Sequence, residues 1–233
     1  AGRRMPGGGA APHRYGGAGG AAAPHYAMLA TAVLHAPDGL LPGDAALHDW
    51  SLAHRPAVAV AVARAITATG TGLLPYALVV LAGLAVGGTR RRRLTAAVGF
   101  GLCLGAGQAL RYAAMSLISR PRPPAGDWAT HASGWSFPSG HATTAAMAAG
   151  LVIAALVLRG PRLPRLPLVL IGGWAASVGL TRVYLGVHWF SDVVAGWLFA
   201  TAWLALIGSV GLWLAGRSVA VRRVPPRLHG KSA

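Results

Sequence analysis

Residues 189–215 read WFSDVVAGWLFATAWLALIGSVGLWLA, and Asp192 is the only charged side chain in the run. A helix needs about 20 apolar residues to cross the roughly 30 Å hydrocarbon core of a bilayer, and this stretch is long enough. Comparable runs lie at about 72–89, 94–118, 141–158 and 166–186. A weaker piece from Tyr26 to about Leu41 holds His35, Pro37 and Asp38. The pattern predicts an all-α, polytopic transmembrane helix bundle of six spans, five clear and the first weak. Composition agrees: 54% of the 233 residues are hydrophobic and 11% charged, against about 25% charged in soluble domains.

The remaining segments divide the chain. Residues 1–25, rich in Gly, Ala, Pro and Arg, read as a disordered N-terminal tail that lacks the order of a signal peptide. Residues 26–216 form the transmembrane domain and 217–233 a basic cytoplasmic tail; residues 42–71 are expected along the interface. The chain has 21 basic and 5 acidic residues, a formal charge of +16. Nucleic acid is not the partner this implies, because the bases sit in short runs between apolar stretches. Arg90–Arg93, then Arg159, Arg162 and Arg165, then Arg217, Arg222, Arg223, Arg227 and Lys231 place three segments in the cytoplasm by the positive-inside rule. The loops at 119–140 and about 186–189 then face outward, in a multi-pass cell-membrane protein with a cytoplasmic C-terminus. Arg55 and Arg64 break the pattern. The single cysteine, Cys103, excludes an intrachain disulfide and a thiolate cluster, and five scattered Asp residues do not suit a carboxylate-rich two-metal site.

Three polar clusters fall at the outward ends of spans. His188 and Asp192 are four apart, which on one helix puts them on a shared face; a carboxylate on one ring nitrogen leaves the other free as nucleophile or base. Arg182 precedes them. Ser136-Phe137-Pro138-Ser139-Gly140-His141 leads into a span, so that Ser139 and Gly140 would offer backbone N–H groups to an anion and His141 a proton. Arg120 and Arg122, in a Pro-broken segment, suit phosphate oxygens. Each cluster also has a plain reading, as interfacial cap, helix cap or lipid-headgroup contact. Together they offer a nucleophile, an acid and positive charge, the requirements of phosphoryl transfer, with no metal or cofactor.

Arg122-Pro123, then Pro138-Ser139-Gly140-His141, then Arg182 with His188 and Asp192 resembles the type 2 phosphatidic-acid phosphatase family. The resemblance implies a six-helix membrane enzyme acting on a lipid phosphate, in which His188 is the nucleophile, Asp192 orients it, His141 protonates the leaving group, and Arg122, Ser139, Gly140 and Arg182 bind the phosphoryl group. A polyprenyl diphosphate or phosphatidic acid is the favoured substrate type. A lipid phosphotransferase and a non-catalytic lipid-binding membrane protein are the alternatives. One departure stands out: the family's first motif begins with Lys where this chain has Met115. Arg111, one turn earlier and about 26 Å along a span starting near residue 94, or Arg120, is expected to replace that cation, unless Arg111 snorkels to the interface.

Overall fold

The computed structural model describes residues 17–160 and 164–222. The expected tail at 1–16, Arg162 and the basic segment from 223 onward lie outside the described residues. Among the described residues eight α-helices follow in order: α1 Gly17–His35, α2 Asp44–Ala53, α3 Ala57–Ala68, α4 Leu73–Ala85, α5 Arg90–Ile118, α6 Gly140–Arg159, α7 Arg165–Tyr184 and α8 Phe190–Arg222. The described residues contain no strand.

Four helices, α5 to α8, are long and apolar enough to cross a membrane. The stretch expected as one span at 72–89 is instead the second helix of a bent pair. Helix α4 has 13 residues, about 20 Å of rise, too short to cross alone. It is bent by 47° from α3, and the pair counts as a fifth candidate. The break falls at Gly70-Thr71-Gly72, where Gly72 takes φ +68°, a conformation a side chain would resist. Residues 42–71 therefore form two helices, α2 and α3, and the second belongs to the bundle. Helix α1 is not among the helices that pass on length and hydropathy, so these two criteria give four or five candidate spans among the described residues.

Two boundaries move. Residues 17–25, expected as disordered tail, are the start of α1, where the Ala21–Ala23 run has high helix propensity. Packing supports it: the Tyr26 ring meets Phe199 of α8 edge-on at 5.5 Å, and Val33 clusters with Phe137 and Ala195. At the other end α8 runs past 216 to Arg222.

Within a bilayer helices associate through close van der Waals packing, which small residues allow. A Cβ on Gly83 of α4 would lie 2.4 Å from Ala97 Cα of α5, so the two backbones touch there. Val79, Leu104, Met147 and Leu151 join α4, α5 and α6 in the buried core. The bundle has two unlike ends. Thr89, Arg91, Arg92 and Leu158 line a cleft at one. The other carries the loops 119–139 and 185–189 and the α3–α4 break.

Those loops are tied down by hydrogen bonds. Helix α5 stops at Ser119, whose φ of +49° turns the chain ahead of Pro121 and Pro123. Ser136 N donates to Arg120 O at 2.8 Å and Ala129 N to Leu185 O at 2.9 Å. Arg55 Nη1 donates to Asp127 O at 2.6 Å and Arg64 Nε to Ala129 O at 2.6 Å. The two arginines that broke the charge pattern thus brace the 119–139 loop through its carbonyls.

Candidate active site

At this end the helices enclose a cavity of about 510 Å³, whose lining includes Arg111, Arg122, Gly140, His141, Arg182 and His188. Residues from α5, the 119–139 loop, the head of α6, the end of α7 and the 185–189 link meet there.

His188 is not on a helix with Asp192. Gly186, at φ +72°, turns the chain after α7, and His188 stands in the short link before α8, whose first turn holds Asp192. The turn still brings them together: His188 Nδ1 lies 3.2 Å from Asp192 Oδ2. The same oxygen accepts from Trp189 N at 2.9 Å and from Ser136 Oγ. An ionised carboxylate only accepts, so Nδ1 carries the ring proton and Nε2 keeps a lone pair. Arg122 Nη1 donates to that Nε2 at 2.9 Å. Burial pulls the His188 pKa down to about 4; the Arg122 and Arg182 charges add to this and Asp192 opposes it. The imidazole is therefore neutral near pH 7.

The guanidinium groups differ in what they have left to give. Arg122 has five N–H donors, and protein atoms take all of them. They go to Gly134 O at 2.9 Å, Val187 O at 2.7 Å, Ser133 O at 2.8 Å, Trp135 O at 3.0 Å and His188 Nε2. Arg182 donates from Nη1 to Thr67 Oγ1 at 3.2 Å, while its buried Nε has no partner. Arg111, 4% exposed, donates from Nε to Gln108 Oε1 at 2.9 Å and stacks 3.8 Å over the Tyr112 ring. Its Cζ lies 3.4 Å from where a Cβ on Gly140 would be, so it faces the start of α6 and does not snorkel away. Among the described residues none of these three arginines is ion-paired with a carboxylate. Their charges are left for an anion.

The start of α6 adds N–H groups. The amides of Gly140, His141 and Ala142 have no partner within the helix. Ser139 departs from expectation: its amide donates to Asp192 O at 3.0 Å, and its hydroxyl is buried with no partner and does not line the cavity. His141 Nε2 lies 3.3 Å from Thr71 Oγ1.

Arg120 also turns away from the cavity. Buried at 2% exposure, it binds Asp44 and Asp192, because the chain reverses at Ser119 and points alternate side chains of the 120–122 segment in opposite directions. Sequence reasoning passed over Thr71, Gln108 and Asp44. Thr71 between two glycines at the edge of a span was the one visible signal. Among the described residues no three of His, Cys, Asp and Glu converge as a metal site.

The family model of the PAP2 superfamily matches residues 96–214. The decaprenylphosphoryl-5-phosphoribose phosphatase of Mycobacterium tuberculosis is 34% identical over 164 residues, 69% of this chain and 85% of that one. Phosphatidylglycerophosphatase B of Bacillus subtilis is 40% identical over 84 residues, 34% of this chain and 40% of that protein. A lipid A 1-phosphatase of Rhizobium johnstonii is 40% identical over 80 residues, 34% of this chain and 29% of the other. The matches to these last two thus span less than half of their length. In the crystal structure of a transmembrane PAP2 type phosphatidylglycerolphosphate phosphatase from Bacillus subtilis the fold recurs, with a TM-score of 0.74 at 26% identity over 83% of this chain and 96% of that one.

Two measurements check this geometry. Carbethoxylation of His188 by diethyl pyrocarbonate, followed by peptide mass spectrometry, should be flat from about pH 7.5 to about pH 5.5, because a ring with a pKa of about 4 stays neutral there. An imidazole of ordinary pKa near 6.5 would lose about tenfold over that range. Replacing Arg111 with Ala should weaken inorganic phosphate binding by about 10- to 100-fold in calorimetry, the loss of one charge-assisted hydrogen bond to the anion; unchanged affinity would remove Arg111 from the anion site.

Proposed function

Because the chain belongs to the PAP2 superfamily, we propose that it is a membrane lipid phosphate phosphatase, removing a terminal phosphoryl group from a lipid phosphomonoester or diphosphate through a phosphohistidine at His188. The observation that carries the reading is a single one: a neutral imidazole presents Nε2 to a cavity shared with His141 and ringed by guanidinium groups that no carboxylate neutralises.

His188 Nε2 attacks phosphorus with its lone pair, and the bond from phosphorus to the lipid oxygen breaks. With the anionic phosphate beside it to favour its charged form, His141 enters as an imidazolium and delivers its proton to that oxygen. Arg111, Arg182 and the amides at the start of α6 hold the non-bridging oxygens, where charge gathers in the transition state. Arg122 joins them by moving one N–H from Nε2 to a phosphoryl oxygen as the N–P bond forms. Asp192, on Nδ1, stabilises the charged ring. Water then attacks the phosphohistidine while His141 takes its proton, the N–P bond breaks, and inorganic phosphate leaves. Gly140 serves through its backbone, as the resemblance suggested. Ser139 acts through the helix start it caps, and Arg120 through Asp192.

The relatives' names support a phosphate on a long apolar tail. The mycobacterial one is named for a decaprenyl-linked phosphoribose and others for phosphatidylglycerophosphate and lipid A, which keeps polyprenyl-borne and diacylglycerol-borne phosphates in the substrate class. Tyr76 and Tyr112 line the same cavity and are exposed on the bundle's flank, an exit by which such a tail reaches the bilayer. Arg91 and Arg92 stand at the opposite end, so the positive-inside rule turns the site to the extracytoplasmic side and the C-terminus to the cytoplasm.

Purified protein in detergent should release phosphate from at least one member of a panel of lipid phosphates. His188→Ala should abolish release, and His141→Ala should slow it by about 10²- to 10⁴-fold; both should keep the parent's melting temperature within a few degrees. Brief reaction with radiolabelled substrate and an acid-free quench should leave label on His188. No release from any substrate would favour the non-catalytic lipid binder, and transfer to an added alcohol with little free phosphate the phosphotransferase. Excess chelator should leave the rate unchanged, whereas loss restored by added metal would overturn the metal-free reaction.

A further inference from the structure

Asp44 lies at the start of α2, far in sequence from every residue assigned to the reaction, yet it is 1% exposed. Its Oδ2 accepts from Arg120 Nη2 at 2.7 Å, from Ser191 Oγ at 2.6 Å and from Leu41 N at 3.1 Å. Its Oδ1 accepts from Ser191 N at 2.9 Å. The other arm of Arg120, Nη1, reaches Ser191 Oγ at 2.8 Å and Asp192 Oδ1. Two carboxylates thus share one guanidinium out of contact with solvent. Taking three ions out of water is costly, and buried ion pairs are weak sources of stability, so the arrangement calls for another reason.

The geometry of Asp192 supplies one. Its Oδ2 faces His188 Nδ1 and its Oδ1 faces Arg120. A guanidinium free to use both arms prefers to fork onto both oxygens of one carboxylate. Were Arg120 to do so, it would take Oδ2 from the imidazole. Asp44 holds the second arm and prevents this.

We propose that Asp44 is a positioning residue for the phosphoryl transfer: by occupying Arg120 Nη2 it confines Arg120 to one oxygen of Asp192 and leaves the other for His188. The proposal rests on His188 being the nucleophile. It also accounts for an arginine of the motif segment that does not face the phosphate cavity.

The test is Asp44→Asn in the full-length protein. Asparagine keeps the shape but has one acceptor oxygen and no charge, so with that oxygen on Ser191 N it offers the guanidinium arm only an NH2 group. On the lipid phosphate that the parent hydrolyses fastest, kcat should fall about 10- to 100-fold, as when an outer partner that orients a buried imidazole is lost. KM should stay within about twofold, since Arg111, Arg122, Arg182 and the start of α6 are untouched. Carbethoxylation of His188 should slow alongside kcat. Parental kcat, or KM rising in step with the fall in kcat, overturns the proposal. If Asp44→Asn does not fold, Ser191→Ala removes one hydrogen bond from Asp44 and one from Arg120 and should lower kcat several-fold at constant KM; a parental kcat there overturns it equally. A parent inactive on every lipid phosphate counts against the phosphatase reading alone. Asp44 is then judged by carbethoxylation, where a slower His188 in Asp44→Asn supports the positioning role and an equal rate ends it.

Discussion

A carboxylate sealed from water must be surrounded by donors, and the Asp192 side chain, with no solvent exposure, organises one end of this molecule on that principle. Its oxygens collect the His188 ring, the Trp189 amide, the Ser136 hydroxyl and Arg120. Even its backbone carbonyl is used, by the Ser139 amide that starts α6. These groups come from the 185–189 link, the 119–139 loop and the head of α6. Satisfying one buried anion therefore sets the position of the segments that wall the cavity, and Arg120 extends the constraint to α2 through Asp44.

The opposite sign prevails on the cavity side. Both wholly buried carboxylates are engaged with Arg120, so the positive charge of Arg111, Arg122 and Arg182 has no counter-ion among the described residues. Separation of this kind is expensive near a bilayer, and the structure limits the cost by hydrogen bonding. Arg122 is held by four backbone carbonyls and an imidazole, and Arg111 by Gln108 and the face of Tyr112. Arg111 is thus held in place before any ligand arrives, and in the proposed reaction the only exchange asked of Arg122 is the one N–H it takes from His188 Nε2; charge fixed in advance in this way is the condition under which electrostatic catalysis is most effective.

The long apolar runs made α5, α6 and α7 and the start of α8 legible within a few residues, since twenty apolar residues in series leave a bilayer little alternative. The α3–α4 break was less so: its signal is two glycines around Thr71, inside a stretch whose hydropathy alone favours one continuous span. At the site, residue types and spacing singled out His141, Arg182, His188 and Asp192, and the structure brings these four together. They did not reveal which of Arg120 and Arg122 faces the cavity, because that depends on the left-handed turn at Ser119, a conformation unusual for serine. Asp44 was invisible for a related reason. An acid in a short amphipathic helix normally faces water, and only the docking of α2 onto α8 shows that this one does not.

In the proposed reading, Arg111 keeps the charge of the site while the sequence pattern shifts. The cation expected at position 115 is absent, and Met115 lies against the displaced guanidinium, with Sδ 3.6 Å from Arg111 Nη1. One helical turn moves a Cα by about 5.4 Å along the axis, and the long arginine side chain spans that gap to bring its head group to Gly140. In that reading the replacement is not neutral in chemistry. An ammonium is a compact point charge, whereas a guanidinium is a planar fork suited to two oxygens at once and able to stack on an aromatic ring, as this one does on Tyr112. In the proposed reaction the Arg111 charge is thus fixed in direction as well as in place, and the Tyr112 ring that fixes it also lines the cavity on the side where a lipid tail would leave.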